Sequence, residues 1–192
     1  AANLFSRLVV LGPPGCGKST VARYLSYFLS MPTSKDVEFD SDNEMSESWS
    51  HMDSVPIFIE IGKFFRWEGF PKPGLNLPPT LIEKYLEYQN ASSLTGTSIV
   101  LAVLNAASNG KAIFILDGLD EIPAGPDFTE NTKYQKQVEA FLKQIQTLYP
   151  NCRIVITSRP HGFKPSLAPG YQVVSILPLD GSRIESIATK LI

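Results

Sequence analysis

The segment Gly12-Pro13-Pro14-Gly15-Cys16-Gly17-Lys18-Ser19 matches G-x-x-x-x-G-K-[ST] at every fixed position. It stands between an apolar run, Arg7 to Leu11, and a stretch in which Val21, Leu25, Phe28 and Leu29 recur at helical spacing. A strand that turns through glycines into a helix admits few folds, because the strand needs parallel neighbours and the helix needs a sheet to cover. The glycines let the backbone curl until its N–H groups face inward, and the helix start adds partial positive charge, so the loop suits a polyphosphate. Lys18 is expected to bridge the β- and γ-phosphates, Ser19 to ligate Mg²⁺, and Thr20 to reach the α-phosphate. The backbone from Gly12 through Pro13, Pro14, Gly15, Cys16 and Gly17 forms the expected cradle.

The rest of the chain repeats the same alternation. Short Val/Ile/Leu/Phe-rich runs at Arg7 to Leu11, Val55 to Ile61, Lys111 to Leu116, Arg153 to Thr157 and Gln172 to Ile176 read as strands covered on both faces. Helical spacing marks Leu81 to Tyr88, Ile99 to Ala107 and the stripe Tyr134, Val138, Phe141, Leu142, Ile145 and Tyr149. The pattern predicts an α/β fold with a five-stranded parallel sheet. Four prolines between Gly69 and Pro79 forbid regular structure there. Phe64, Phe65, Trp67 and Phe70 are expected to pack in the core.

Apolar residues make up 43% of the 192, which is enough for a core, and no apolar run approaches the roughly 20 residues that span a bilayer. The formal charge is -2, so no basic field marks a nucleic-acid binder. That total conceals an acidic stretch at 33–56, with seven acids against Lys35, expected to be a solvated loop. Its net -6 leaves +4 for the remaining chain. Two cysteines far apart and two histidines, His51 and His161, give neither a disulfide framework nor a zinc site. Without a secretory signal, the expected compartment is the cytoplasm.

Two further blocks carry chemistry. Ile113-Phe114-Ile115-Leu116-Asp117 is an apolar run ending in a carboxylate, where Asp117 is expected to hold Mg²⁺, and Gly118-Leu119-Asp120-Glu121 follows at once. At least one of Asp120 and Glu121 is expected to act as the base that orients a hydrolytic water. Thr157-Ser158-Arg159-Pro160 ends the fourth strand, which sets Arg159 on the rim where it can read a γ-phosphate. A small-molecule kinase would need a lid with several arginines, yet only Arg153, Arg159 and Arg183 follow residue 67. A module that binds nucleotide without hydrolysis uses the same residues and stays open as an alternative.

GPPGCGKST at 12–20, VPIFIEI at 55–61, IFILDGLDEIP at 113–123 and TSRP at 157–160 together resemble the NACHT domain of the STAND class of P-loop NTPases. The resemblance implies a three-layer α/β/α P-loop NTPase fold with strand order 5-1-4-3-2, one domain over 1–192, and ATP/ADP with Mg²⁺ as ligands. It further implies slow ATP hydrolysis, with Lys18, Asp120, Glu121 and Arg159 in catalytic roles and the isolated domain nearly inactive. Nucleotide-dependent self-oligomerisation is implied too, in a larger cytoplasmic sensor of innate immunity or cell death with fused effector and sensor domains. The apolar stripe Ile184, Ile187, Ala188 and Leu191 carries the expectation that residues 178–192 open a following helical segment, and the start at Ala1 without a Met the expectation of an excised segment.

Overall fold

The computed structural model describes residues 5–31, 53–93, 95–123 and 128–176. Five strands, β1 (Arg7–Leu11), β2 (Val55–Glu60), β3 (Ala112–Asp117), β4 (Arg153–Ser158) and β5 (Gln172–Ser175), form one sheet in the order β2-β3-β4-β1-β5. Every pairing is parallel, and β4 is inserted between β1 and β3. Among the described residues the helices are α1 (Lys18–Ser30), α2 (Ile61–Arg66), α3 (Leu81–Gln89), α4 (Gly96–Ser108) and α5 (Phe128–Leu148).

Alternation along the strands divides the core into two layers. Ile113, Ile115, Val155 and Leu8 face one side, where Ala22, Leu25, Phe28 and Leu29 of α1 cover them. Phe114, Leu116, Ile154, Ile156 and Val9 face the other, packed with Phe64, Tyr85, Phe141 and Ile145 from α2, α3 and α5. The result is the three-layer α/β/α arrangement. β3 is buried at all six positions, as a strand covered on both faces should be. β5 departs from that expectation, since it lies at the sheet edge with Gln172, Val173 and Ser175 exposed.

Two local expectations are corrected. Val21 was expected on the buried face of α1 but is 54% exposed, and Ala22 lies against the sheet instead. A small residue there lets the helix approach the strands closely. The run Val55 to Ile61 does not remain a strand to its end, because Ile61 opens α2, which the periodicity did not reveal. That six-residue helix is fixed by packing: the Phe64 ring centroid is 4.7 Å from those of Tyr85 and Phe141 and 5.1 Å from that of Phe70. The aromatic cluster is core, as expected.

The proline-rich stretch has neither helix nor strand. Prolines lack an N–H but keep a carbonyl, and α5 supplies the donors. Gln137 Nε2 donates to the carbonyls of Pro71, Lys72 and Leu75 at 3.1, 2.8 and 3.4 Å, and Gln144 Nε2 to that of Pro78 at 2.8 Å. Most of the acidic stretch at 33–56 and all of 178–192 lie outside the described residues. No helix among the described residues is long and apolar enough to cross a membrane.

Candidate functional site

The glycine-rich loop leaves β1 and is tied to its neighbour where Gly12 N donates to the Ser158 carbonyl at 3.2 Å. Gly15 and Gly17 adopt φ of 75° and 90°, which L side chains rarely take, so the loop's curl depends on them. Gly12 is needed for another reason: a Cβ there would lie 2.4 Å from Cys16 Sγ. Cys16 is therefore turned inward against the base of the loop. Lys18 Nζ donates to the carbonyls of Gly12 and Pro13 at 2.8 and 2.9 Å.

The loop closes one side of a cleft of about 270 Å³, lined there by Pro14, Gly15, Gly17, Lys18, Ser19 and Thr20. Gly118, Asp120, Glu121, Thr157 and Arg159 line the opposite side. Three blocks widely separated in sequence thus meet at the carboxyl ends of β1, β3 and β4, where open parallel sheets gather ligands. Gly12, Pro13 and Cys16 belong to the loop but are not among the residues that line the cleft.

Asp117 ends β3 and is 6% exposed. Its Oδ1 accepts from Ser19 Oγ at 3.2 Å and from Thr157 Oγ1 at 2.5 Å. Thr157 Oγ1 in turn accepts from Gly118 N at 2.9 Å, so one hydroxyl joins β4 to the turn after β3. The donors at this corner are hard oxygens, and no group of three or more His, Cys, Asp or Glu side chains gathers among the described residues. One hydroxyl and one carboxylate suit Mg²⁺, which takes few protein ligands and keeps several waters.

The two acids after Gly118 differ sharply. Asp120 Oδ2 pairs with Arg159 Nε at 3.0 Å and Oδ1 accepts from Arg159 N at 3.0 Å. Glu121 is exposed, and its carboxylate has no hydrogen-bond donor among the described residues. Its side chain lies between two glycines: a Cβ on Gly62 would sit 3.0 Å from Glu121 Oε2, and one on Gly118 would sit 3.0 Å from Glu121 Cδ. Arg66 Nη2 donates to the Glu121 carbonyl at 3.2 Å while Nη1 holds the Gly62 carbonyl at 3.1 Å. Local pattern gave no sign of Gly62 or Arg66 beside the site, nor of the bond from Thr157 to Asp117, because each acts across a tertiary contact.

Beside the cleft, Glu60 ends β2 and pairs in register with Asp117. Arg23 Nη2 reaches Glu60 at 2.8 Å and Lys63 bonds its other oxygen. The Lys63 hydrogen bond, opposed by burial and aided by that of Arg23, holds the Glu60 carboxyl below the usual glutamate range.

A parallel sheet in this order, with a G-x-x-x-x-G-K-S loop from β1 into α1 and an acid closing β3, defines the P-loop NTPase fold. Within that class the NACHT domain family model matches residues 50–192, most of the chain, and the chain belongs to that family. The match takes in Asp117, Asp120, Glu121 and Arg159 and begins after the glycine-rich loop, which the β1–β4 pairing brings alongside them. Membership makes this a nucleotide-binding NTPase module of the STAND class. No curated protein matches the sequence.

Proposed function

We propose that residues 1–192 form one domain that binds Mg-ATP and ADP, hydrolyses ATP slowly, and serves as the nucleotide-dependent switch for oligomerisation of a larger cytoplasmic sensor of innate-immunity or cell-death type. The observation that carries the reading is the Ser19–Asp117 contact, which joins the loop to the strand acid across 98 positions of sequence. A nucleotide phosphate would compete with the Gly12 and Pro13 carbonyls for Lys18, turning an ammonium that now holds its own loop toward the ligand. Ser19 and Asp117 would hold Mg²⁺, which supplies charge neutralisation at the phosphates. Glu121, whose carboxylate has no hydrogen-bond donor among the described residues, is the acid suited to accept a proton from an attacking water. Arg159 stabilises charge at the terminal phosphate.

Nucleotide titration of the wild-type protein and Lys18→Ala tests this. Binding of ATP and ADP by the wild type, lost by at least tenfold in the variant, is the expected result. Equal affinities in the two proteins would remove the loop from the site. ATP consumption that depended on an added phosphate acceptor would replace the switch with a kinase.

A further inference from the structure

We infer that Asp120 is a positioning residue that holds Arg159 ready for a terminal phosphate, and so sets the preference of the site for a nucleoside triphosphate over a diphosphate. This rests on the nucleotide-binding reading above. Both Asp120 oxygens are engaged by one residue, Oδ1 with the Arg159 main-chain N–H and Oδ2 with Nε, each at 3.0 Å. An arginine gripped at Nε and at its own backbone cannot swing away from the cleft. The grip leaves the terminal fork untouched: among the described residues the two Nη groups have no partner, and the side chain is 42% exposed while that of Asp120 is 9% exposed. Paired N–H groups on a fixed plane match the geometry of phosphate oxygens.

The surroundings fix the pair from both directions. Pro160 restricts Arg159 to extended backbone, at φ -78° and ψ 150°. The turn Pro160–Gly162 then folds back over the acid, with Gly162 N donating to the Arg159 carbonyl at 3.1 Å. A Cβ on Gly162 would lie 2.3 Å from Asp120 Cβ, so only glycine lets the turn close there. Beneath, Glu121 N donates to the Gly118 carbonyl at 2.9 Å and fixes the short turn that carries Asp120. An arginine without this hold would lose rotamer freedom on meeting a phosphate, at a cost of about tenfold in affinity.

The test measures binding of a non-hydrolysable ATP analogue and of ADP to wild type, Asp120→Ala, Asp120→Asn, Arg159→Ala and the Asp120→Ala/Arg159→Ala double variant. Asp120→Ala should weaken the analogue about tenfold and ADP by less than about twofold. Arg159→Ala should do at least as much, and the double variant no more than Arg159→Ala alone, since the acid acts only through the arginine. Asp120→Asn keeps the side-chain volume and one acceptor oxygen but loses the bond from Nε. It should show the same fall in the analogue-to-ADP ratio, and it carries the test if Asp120→Ala does not fold. An unchanged ratio in the Asp120 variants, or additive losses in the double variant, would overturn the positioning role while both nucleotides still bound. A wild type that bound neither nucleotide would instead bring down the underlying functional reading and this inference with it.

Discussion

Replacing Thr157 with valine is the sharpest probe of how the site is held. The side chain is 3% exposed, and its hydroxyl donates to Asp117 at 2.5 Å while accepting from Gly118 N at 2.9 Å. Valine keeps the branched shape that suits a strand but removes both interactions. A hydrogen bond to a carboxylate contributes about 1.5–3 kcal/mol, and a buried N–H left without an acceptor costs about 1–3 kcal/mol. Because one hydroxyl makes both bonds the two losses do not simply add, and about 2–4 kcal/mol is the reasoned total. Valine's better strand preference offsets at most a few tenths of a kcal/mol. With a urea slope of about 2–3 kcal/mol/M, the unfolding midpoint should fall by roughly 1 M. Thr157→Ser keeps the hydroxyl and loses one methyl, so it should cost only about 1 kcal/mol. The valine variant should also bind ATP with a weakened dependence on Mg²⁺, because Asp117 loses the bond that orients it. If Thr157→Val lay within about 0.5 kcal/mol of wild type, or if serine were as damaging as valine, the hydroxyl bridge would not hold the site and the reasoning would fail.

Two further expectations concern the frame around the cleft. Glu60 has a folded-state pKa below its ordinary value of 4.5, so its contribution to stability is full above that value and is lost as pH falls through the folded pKa. Glu60→Gln should therefore be less stable than wild type at neutral pH and converge on it in acid, as read by urea midpoints across pH 3–7; parallel curves would refute the assignment. Gln137→Ala removes the donor shared by three carbonyls of the proline-rich stretch and should destabilise by about 2–4 kcal/mol. It should also speed proteolytic cleavage between Gly69 and Pro79, and an unchanged cleavage rate would show that the glutamine does not secure that segment.

The glycine-rich loop, the acid ending β3 and the arginine that follows β4 were legible in the sequence because strand, turn and helix are local signals with fixed chemistry. Each strand was placed to within a residue or so at its ends. What remained hidden depends on contacts between distant parts. α2 escaped because Glu60 and Ile61 carry no strong stop signal, and the helix exists through the packing of Phe64 against α3 and α5. The exposure of Val21 follows from the angle at which α1 meets the sheet, which helical spacing alone does not set. Above all, the sequence offered Asp120 and Glu121 as equivalent candidates for the base. Only the return of β4 beside β3 separates them, by bringing Arg159 onto one acid and leaving the other open.

The division of charge along the rim has a common origin in α1. Glu60 and Asp117 are register partners on adjacent parallel strands, which lie about 4.8 Å apart, so two carboxylates crowd one edge. Like charges at that separation repel unless each is compensated. Ser19 and Arg23 stand four positions apart and so share a face of the helix. Ser19 meets Asp117 and, one turn later, Arg23 meets Glu60, where Lys63 joins it. Glu60 is thus matched by two cations, whereas Asp117 receives only hydroxyls among the described residues. A cation seated on Asp117 would occupy the carboxylate proposed above to take Mg²⁺. One turn of α1 therefore neutralises Glu60 and leaves the Asp117 carboxylate without a cation among the described residues, and both halves of that outcome depend on Ser19 and Arg23 keeping their spacing after Lys18.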